Sequence, residues 1–460
     1  MVLLVNDKYT GETFERLQET ESSNVGEIIE NAKSSFSKVA SMPAYERYEF
    51  LKNGSDIIKS RQDKLAKIIT IESGKPIKYS LKEVNRAAFV LFASAEEGKR
   101  IHGETVPMDM EPRGKDRFAY YGRVPIGPVL SITPFNDPLN LVAHKVGPAL
   151  AAGNSIVNKP TTLAPLSSIK LSEILHEGGM PINAFQNIIT AGNSQVMKSF
   201  LHSDDFKKVT FTGGYEAASK MVREGGVKKY SMELGSNSPV IVSENSRWEE
   251  HIESIVEAAF ESQGQNCIHS QRILIQDSIY QQVTERLIKR TQALKVGNPL
   301  DPDTDIGPMI TEGEARRVES LISESISRGS SVLMGNRKEK NVIYPTIMEN
   351  VQREDPIWKN EIFGPVTILC KFKTIDEAIE MANGVNLGLQ AGVISDSYPE
   401  LMKAVEKLQY GTVLINDTSD FRIDTMPFGG MKMSGIGREG IRHAIEEMTE
   451  IKLVIMKKEK

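Results

Sequence analysis

Cys267 stands directly after a polar turn, residues 261–266, that has Gly264 near its centre. A cysteine of the hydrophobic core normally has apolar neighbours, whereas a nucleophilic cysteine needs an accessible and partly ionised sulfur. Upstream, Glu233 offers a carboxylate that can act as a general base, and Asn136 offers an amide that can donate to an oxyanion. These residue types predict nucleophilic catalysis by the Cys267 thiolate.

The segments around these three residues resemble the aldehyde dehydrogenase superfamily in sequence and in order. They are residues 133–136, 232–235, 260–267, 361–365 and 427–435, and similar segments occupy 72–76 and 147–154. The resemblance covers essentially the whole chain. It is closest to non-phosphorylating, hydrolytic members, in particular to archaeal glyceraldehyde and lactaldehyde dehydrogenases.

The resemblance implies a role for each candidate catalytic residue. Cys267 attacks the aldehyde, and Asn136 with the backbone N–H of Cys267 forms the oxyanion hole. After hydride transfer, Glu233 deprotonates the water that hydrolyses the thioester. Lys145 matches a family lysine near the cofactor and a proton path. Taken singly, Asn136 also fits a helix N-cap, and Glu233 also fits a solvated carboxylate at a strand end.

Composition narrows the class of protein. A chain of 460 residues with 40% hydrophobic content exceeds one ordinary domain, and 56 basic against 61 acidic residues argue against nucleic acid or an anionic membrane as partner. No apolar run approaches the roughly 20 residues that cross a bilayer, so we expect a cytoplasmic enzyme. Cys267 and Cys370 are expected to be reduced. His269 has no second cysteine or acidic cluster nearby, so no metal is expected.

Hydrophobic periodicity predicts an α/β fold with two doubly wound parallel-sheet domains. Helices are predicted over 25–38, 44–71 and 280–294, and strands over 127–132, 187–190 and 239–242. The strands 117–121 and 451–456 have no parent domain. The resemblance implies that they form a small β oligomerisation element of a homotetramer, a dimer of dimers. The predicted domains are a Rossmann-like dinucleotide-binding domain (1–110 and 127–235), a catalytic domain (236–435) and the oligomerisation element (111–126 and 436–460).

The resemblance also implies a nicotinamide cofactor bound in an atypical Rossmann-like manner. The usual Gly-x-Gly-x-x-Gly pattern is missing, and the turn at 191–194 has one glycine, Gly192. The remaining predicted cofactor contacts, in chain order, are Thr133, Pro134, Phe135, Lys159, Thr161, Thr162, Phe211, Thr212, Gly213, Gly214, Leu234, Glu361 and Phe363.

Thr162 bears on the choice between NAD and NADP. NAD-preferring relatives often have a glutamate there, which accepts hydrogen bonds from ribose hydroxyls and repels a 2′-phosphate. A neutral Thr162 beside Lys159 and Thr161 favours NADP, with NAD as the alternative. Threonine is also a good helix N-cap, which is the structural alternative for Thr162.

A helix that begins after Asn136 places Asn136, Asn140 and His144 on one face, which is predicted to line the aldehyde tunnel. The other candidate substrate contacts are Glu261, Asn266 and Ile268. Hydroxyls satisfy such a polar lining and an alkyl chain does not. The sequence therefore predicts a small hydroxyaldehyde, glyceraldehyde or lactaldehyde, as substrate.

Arg422 keeps a second substrate class open, because an arginine near the tunnel mouth can bind a phosphate or a carboxylate. Glyceraldehyde 3-phosphate and succinic semialdehyde are the corresponding alternatives, and a surface arginine is the structural one. A CoA-acylating enzyme has no need of Glu233, so its presence favours hydrolysis. A catalytically idle superfamily member is a further alternative, against which the set Asn136, Glu233 and Cys267 speaks.

Overall fold

A computed structural model describes residues 1–191 and 194–459 of the chain. Its body consists of two mostly parallel β-sheets with helices packed against them. This arrangement confirms the predicted α/β class with Rossmann-like parallel sheets. The domain boundaries stay a prediction.

The first sheet carries the predicted cofactor half of the chain. Its order is Gly435–Ile436, Lys229–Glu233, Lys208–Thr212, Val129–Thr133, Ile156–Pro160 and Phe185–Asn187. The pair at the Gly435 edge is antiparallel and the other pairs are parallel. The chain order reverses between Val129–Thr133 and Lys208–Thr212. Open α/β sheets bind ligands at the carboxyl ends of strands at such a reversal, so residues 134–136 and 213–214 lie where a cofactor is expected.

Helices cover both faces of the first sheet, since alternate strand residues such as Val129 and Leu130 belong to different apolar clusters. The helices of this half, in chain order, are Val25–Ser41, Ala44–Ser60, Gln62–Ser73, Ile77–Gly98, Asn140–Ala151, Leu166–Glu177, Ser194–His202, Tyr215–Gly225 and Ile441–Glu447. The helix predicted over 44–71 is interrupted at Arg61, which has ψ of 19°. The strand predicted over 187–190 is replaced by Phe185–Asn187, because the neighbouring strand pairs only with those three residues.

The second sheet belongs to the half of the chain that contains the predicted nucleophile, Cys267. Its order is Ser331–Met334, Thr346–Glu349, Val366–Phe372, Ser270–Gln276, Ser238–Val242, Gln390–Ile394 and Thr412–Ile415, and only the pair at the Ser331 edge is antiparallel. Its helices are Ile252–Phe260, Tyr280–Thr291, Glu312–Ser327, Pro356–Lys359, Ile375–Asn383 and Tyr398–Lys407. The Cys267 loop joins helix Ile252–Phe260 to the central strand Ser270–Gln276.

A third, antiparallel sheet has the order Thr449–Lys457, Arg117–Pro125 and Glu104–Val106, and it contains both strands that were predicted to lack a parent domain. The remaining paired strands are Val2–Asn6 with Thr13–Gln18, Lys338–Glu339 with Val342–Ile343, and Leu387–Gly388 with Met431–Lys432. Within residues 1–191 and 194–459, no helix is both long and apolar enough to cross a membrane.

The helix Asn140–Ala151 runs through the interior, and all of its residues are buried. It packs closely on helix Ile77–Gly98 because Gly147 has no side chain: a Cβ there would lie 2.6 Å from the Ser94 hydroxyl oxygen. This close approach sets the distance between helix Ile77–Gly98 and the helix that carries the predicted catalytic Lys145.

Candidate active site

Two cavities meet at Cys267. One has a volume of about 380 Å³ and the other about 130 Å³. Asn136, Leu141, Cys267 and Arg422 line both of them. The structure therefore brings the predicted nucleophile and the predicted oxyanion donor together at the junction of the two cavities.

The turn before Cys267 has an unusual backbone. Ser262, Gln263 and Gly264 have φ of 52°, 58° and 63°, so three successive residues adopt left-handed conformations. A residue other than glycine in this region costs about 1–3 kcal/mol and needs surrounding contacts to persist. Position 264 requires glycine, because a Cβ there would lie 2.2 Å from the Gly364 carbonyl oxygen. The turn redirects the chain so that Cys267 points into the cavity junction.

The Cys267 thiol needs help to ionise. Burial raises its pKa, and Arg422 is the group that most strongly opposes this effect. Cys370 lies buried in strand Val366–Phe372, where burial raises its pKa to about 12. Cys267 is thus the cysteine with access to a cavity, and Cys370 is a core residue.

Glu233 ends strand Lys229–Glu233 and faces the larger cavity. Within the described residues, neither of its buried carboxylate oxygens has a hydrogen-bond partner. Burial raises the pKa of Glu233 well above its usual value, and the nearby Glu439 carboxylate raises it further. A carboxylate with a raised pKa is a better base for a water molecule near neutral pH. The solvated strand-end alternative does not describe this buried side chain.

Lys145 forms a buried ion pair that connects to Arg422. Lys145 Nζ donates to Glu439 Oε1 over 2.9 Å and to the Thr210 hydroxyl over 3.3 Å. Arg422 donates to Glu439 Oε2 over 3.0 Å, and its guanidinium carbon lies 3.7 Å from the centre of the Phe428 ring. Burial works to raise the pKa of Glu439, but Lys145 and Arg422 outweigh it and hold that pKa below its usual value. Sequence reasoning missed Glu439, which lies outside the recognised segments.

One end of the larger cavity is lined by residues that were predicted to contact the cofactor. The Phe135 and Phe363 rings meet edge to face at 5.8 Å. Glu361 accepts a hydrogen bond from the Ser236 backbone N–H over 2.9 Å, and burial raises its pKa to about 7. Gly235 lies against Glu361, where a Cβ would come within 2.5 Å of Oε2. The other predicted cofactor residues on this lining are Pro134, Thr212, Gly213, Gly214 and Leu234.

The lining fits a dinucleotide cofactor. A Cβ built at Gly214 meets no atom within 4 Å, so the backbone there faces open space at the amino end of helix Tyr215–Gly225. A helix amino terminus with open backbone N–H groups favours phosphate. Thr133 and Phe211 are buried behind this surface and do not line the cavity. Gly192 lies outside the described residues.

The predicted adenosine end lies after strand Ile156–Pro160. Thr161 donates its backbone N–H to the Thr133 carbonyl oxygen over 3.0 Å, which continues the sheet pairing. Burial lowers the pKa of Lys159, and no carboxylate of the described residues opposes this effect. Thr162 is half-buried and lies four residues before helix Leu166–Glu177 begins, so it is not the N-cap of that helix.

The smaller cavity is the candidate aldehyde site. Three of the predicted substrate contacts line it, namely Glu261, Asn266 and Ile268. Lining residues that sequence reasoning missed are Lys75, Tyr79, Lys82, Glu83, Arg86, Asp137, Ser262, Gln265 and Asp420. Most of the residues that line this cavity are polar or charged, and its volume suits a molecule of only a few heavy atoms.

Asn140 and His144 do not reach this cavity. Both are buried, and both contact Asp424: Asn140 Nδ2 lies 3.4 Å and His144 Nε2 lies 2.9 Å from its Oδ1. Arg422 also differs from the prediction of a tunnel-mouth residue, because its side chain is only 7% exposed and is engaged with Glu439. The helix begins at Asn140 and turns these side chains toward the protein interior.

Among the described residues, no group of three His, Cys, Asp or Glu side chains is arranged to hold a metal ion. The chemistry that the site supports uses the thiol, the carboxylate and the amide at the cavity junction.

Comparisons with known proteins agree with this geometry. Residues 3–454 match the aldehyde dehydrogenase family. The chain is 41% identical over 437 residues to aspartate-semialdehyde dehydrogenase 1 of Pseudomonas canavaninivorans, covering 95% of this chain and 92% of the relative. It is 37% identical to lactaldehyde dehydrogenase of Methanococcus aeolicus, with 98% and 96% covered. The crystal structure of glyceraldehyde-3-phosphate dehydrogenase GapN from Methanocaldococcus jannaschii with NADP superimposes with a TM-score of 0.95 at 34% identity, covering 99% of each chain.

Proposed function

Because this chain belongs to the aldehyde dehydrogenase family, we propose that it oxidises a small hydroxyaldehyde, such as glyceraldehyde or lactaldehyde, to the carboxylic acid with NADP as hydride acceptor. The observation that carries this proposal is the small polar cavity of about 130 Å³ that opens onto Cys267. A lactaldehyde dehydrogenase among the relatives supports the same substrate class.

The proposed reaction assigns a task to each side chain at the junction. The Cys267 thiolate attacks the aldehyde carbon, and the Asn136 amide donates to the oxygen that becomes negative. A bound nicotinamide supplies the hydride acceptor. Glu233 then takes a proton from water, which attacks the resulting thioester and releases the acid and the thiol. Lys145 is assigned an auxiliary role, through its ion pair with Glu439.

NADP is proposed on the charge around the adenosine end. Lys159 has no acidic partner among the described residues, and Thr162 is neutral and not engaged as a helix cap. A 2′-phosphate gains a charge-assisted contact from such a lysine, whereas a ribose hydroxyl gains less. The structural relative with NADP supports this choice.

A second candidate is a short aldehyde with an anionic group, which includes glyceraldehyde 3-phosphate and succinic semialdehyde. One observation favours it: Arg422 Nε is buried without a hydrogen-bond partner among the described residues, and this side chain lines the aldehyde cavity. Arg422 Nη2 donates to Glu439, whereas Nε has no partner among the described residues, so an anion in the cavity would find a free donor on this guanidinium group. A catalytically idle protein is disfavoured by the assembled Asn136, Glu233 and Cys267.

A panel of aldehydes tests the substrate proposal. Initial rates of NADPH formation are measured with glyceraldehyde, lactaldehyde, glyceraldehyde 3-phosphate, succinic semialdehyde and hexanal. The proposal expects kcat/KM to be highest for one of the two neutral hydroxyaldehydes and lowest for hexanal. A maximum for either anionic aldehyde selects the second candidate, and a maximum for hexanal contradicts both.

We propose a homotetramer built through the third sheet, in a reducing, cytoplasmic compartment. Exposed apolar side chains of strands Arg117–Pro125 and Thr449–Lys457 support the first part: Phe118, Tyr120, Val124, Ile451, Leu453, Ile455 and Met456. Exposed apolar surface of this kind marks a protein interface. Light scattering after gel filtration measures the mass, and Leu453→Asp is expected to lower the subunit number.

The free thiols of Cys267 and Cys370 support the proposed reducing, cytoplasmic compartment.

A further inference from the structure

Gly74 links the nucleophile turn to the rest of the site. It ends helix Gln62–Ser73 in a left-handed conformation, with φ of 80°. Its carbonyl oxygen accepts a hydrogen bond from Gln263 Nε2 over 3.0 Å, and the same amide group donates to the Pro308 carbonyl oxygen over 2.9 Å. Gln263 is 1% exposed and belongs to the strained turn before Cys267. These two contacts therefore hold a backbone conformation that is unfavourable by itself.

Lys75, the next residue, links the other side of the site. Its ammonium group contacts the carboxylate of Asp137, which follows Asn136, and donates to Glu83 Oε2 over 2.6 Å. Glu83 Oε1 accepts from the backbone N–H groups of Leu139 and Asn140 over 2.8 and 3.1 Å. Lys75 thus fixes both ends of the short segment between Asn136 and the start of helix Asn140–Ala151.

In the cluster of Lys75, Arg86, Glu83 and Asp137, two positive charges face two negative charges. Replacement of the Lys75 ammonium group by a neutral group would therefore leave an unbalanced negative charge. The Lys75 side chain is 4% exposed. Burial works to raise the pKa of Asp137, but Lys75 and Arg86 outweigh it and hold that pKa below its usual value. Removing one member of a buried ion cluster leaves its partners unpaired, so the segment that bears them is expected to shift.

We propose that Gly74 and Lys75 form a positioning element that sets the Asn136 amide relative to the Cys267 sulfur. This role rests on the proposed function of the site. One dipeptide contacts the nucleophile turn through its carbonyl group and the oxyanion segment through its side chain. Oxyanion stabilisation requires donors near 3 Å from the developing charge, and a displacement of 1 Å costs about 10²-fold in rate. Lys75 lines the smaller cavity, but among the described residues its ammonium group bonds to Glu83 and Asp137 and not to Cys267 or Asn136.

The test measures the first turnover of Lys75→Met at a saturating concentration of the best aldehyde of the wild-type protein, because Lys75 lines the smaller cavity and its loss also changes the surface that meets the aldehyde. The expected result is a rate of NADPH formation per active site that falls about 10²-fold, because the oxyanion donor is misplaced. The NADP dissociation constant and the burst amplitude are expected to stay at wild-type values, which a folding defect would not allow. The matched control is Lys208→Met, which removes another buried lysine whose partner, Glu447, lies 3.0 Å away at the opposite end of the first sheet.

A double-mutant cycle tests whether Lys75 acts on the Asn136 segment through Asp137. Asp137→Asn keeps the size of the side chain and is expected to slow the first turnover in the same direction, and Lys75→Met is expected to add little to it. Wild-type first-turnover rates in Lys75→Met or Asp137→Asn, or additive effects of the two, overturn the positioning role. If Lys75→Met does not fold, Asp137→Asn alone decides. Failure of the proposed substrate class shows already in the wild-type protein, so it is distinguished from failure of this inference.

Discussion

The Glu72 carboxylate accepts a hydrogen bond from the backbone N–H of Ser167 over 2.9 Å and caps helix Leu166–Glu177 from a neighbouring helix. Its second oxygen accepts from the Leu166 N–H over 2.7 Å. Glu83 caps the helix that follows Asn136 in the same way. Because glutamates from other helices supply both caps, Thr162 and Asn136 are left available for ligands.

Replacement of Thr162 tests the cofactor choice. Thr162→Glu is expected to lower kcat/KM for NADP at least about tenfold relative to NAD, because a carboxylate near a 2′-phosphate is repulsive. Thr162→Val is the matched control, since it removes the hydroxyl without adding charge. Steady-state kinetics with both cofactors measure the ratio. An unchanged NADP/NAD ratio in Thr162→Glu, or a wild type that prefers NAD, removes Thr162 from the argument.

Glu72 predicts a pH dependence of stability. Burial raises its pKa from 4.5 to about 7 in the folded protein, against the opposing hydrogen bonds from Ser167. The folded state therefore binds the Glu72 proton more tightly than the unfolded state does. The resulting contribution to the free energy of unfolding is complete below pH 4.5 and is lost as pH rises through about 7. The contribution is on the order of 3 kcal/mol.

Denaturation of Glu72→Gln at pH 5 and pH 8 checks this. The variant is expected to lose less stability than the wild type over that interval, because glutamine has no proton to release. The exposed Glu216→Gln serves as control and is expected to follow the wild type. Parallel curves for Glu72→Gln and the wild type contradict the assignment.

Removal of the nucleophile is expected to stop the chemistry and to spare cofactor binding. Cys267→Ala should lower aldehyde-dependent NADPH formation by at least about 10³-fold, since no other thiol reaches the cavity junction. Cys370→Ala is the control and should retain activity, because Cys370 lies in the core of the second sheet. Assays of both variants, with NADP titrations, measure the two effects. Turnover of Cys267→Ala near the wild-type rate is incompatible with covalent catalysis.

Glu233 is expected to separate the two halves of the reaction. Glu233→Gln should keep a first-turnover burst of NADPH and lose steady turnover by about 10²-fold or more, because glutamine cannot deprotonate water. In the wild type, the steady rate should rise with pH as the buried carboxyl, whose pKa is raised, becomes ionised. Stopped-flow absorbance shows both phases. Loss of the burst together with the steady rate assigns Glu233 to activation of Cys267 instead.

The sequence determined the class of fold and predicted the residues that the structure brings together at the cavity junction. Period-two and helical patterns record burial along the chain, and they predicted alternating strands and helices correctly apart from details such as the break at Arg61. Cys267, Glu233 and Asn136 could be named because each lies in a segment whose local residue types resemble the family. The same local signals predicted Phe135, Glu361 and Phe363.

The tertiary structure decided what surrounds those residues. Glu83 and Glu439 lie outside the recognised segments, and Lys75 lies in one, residues 72–76, to which the sequence assigned no role; the importance of all three comes from partners far away in the chain. Asn140 and His144 shared the predicted helix face with Asn136, but the start of the helix and the position of Asp424 turn them inward. Hydrogen bonds, charge pairing and burial are set by chain segments that meet only after folding, and periodicity along one segment cannot contain them.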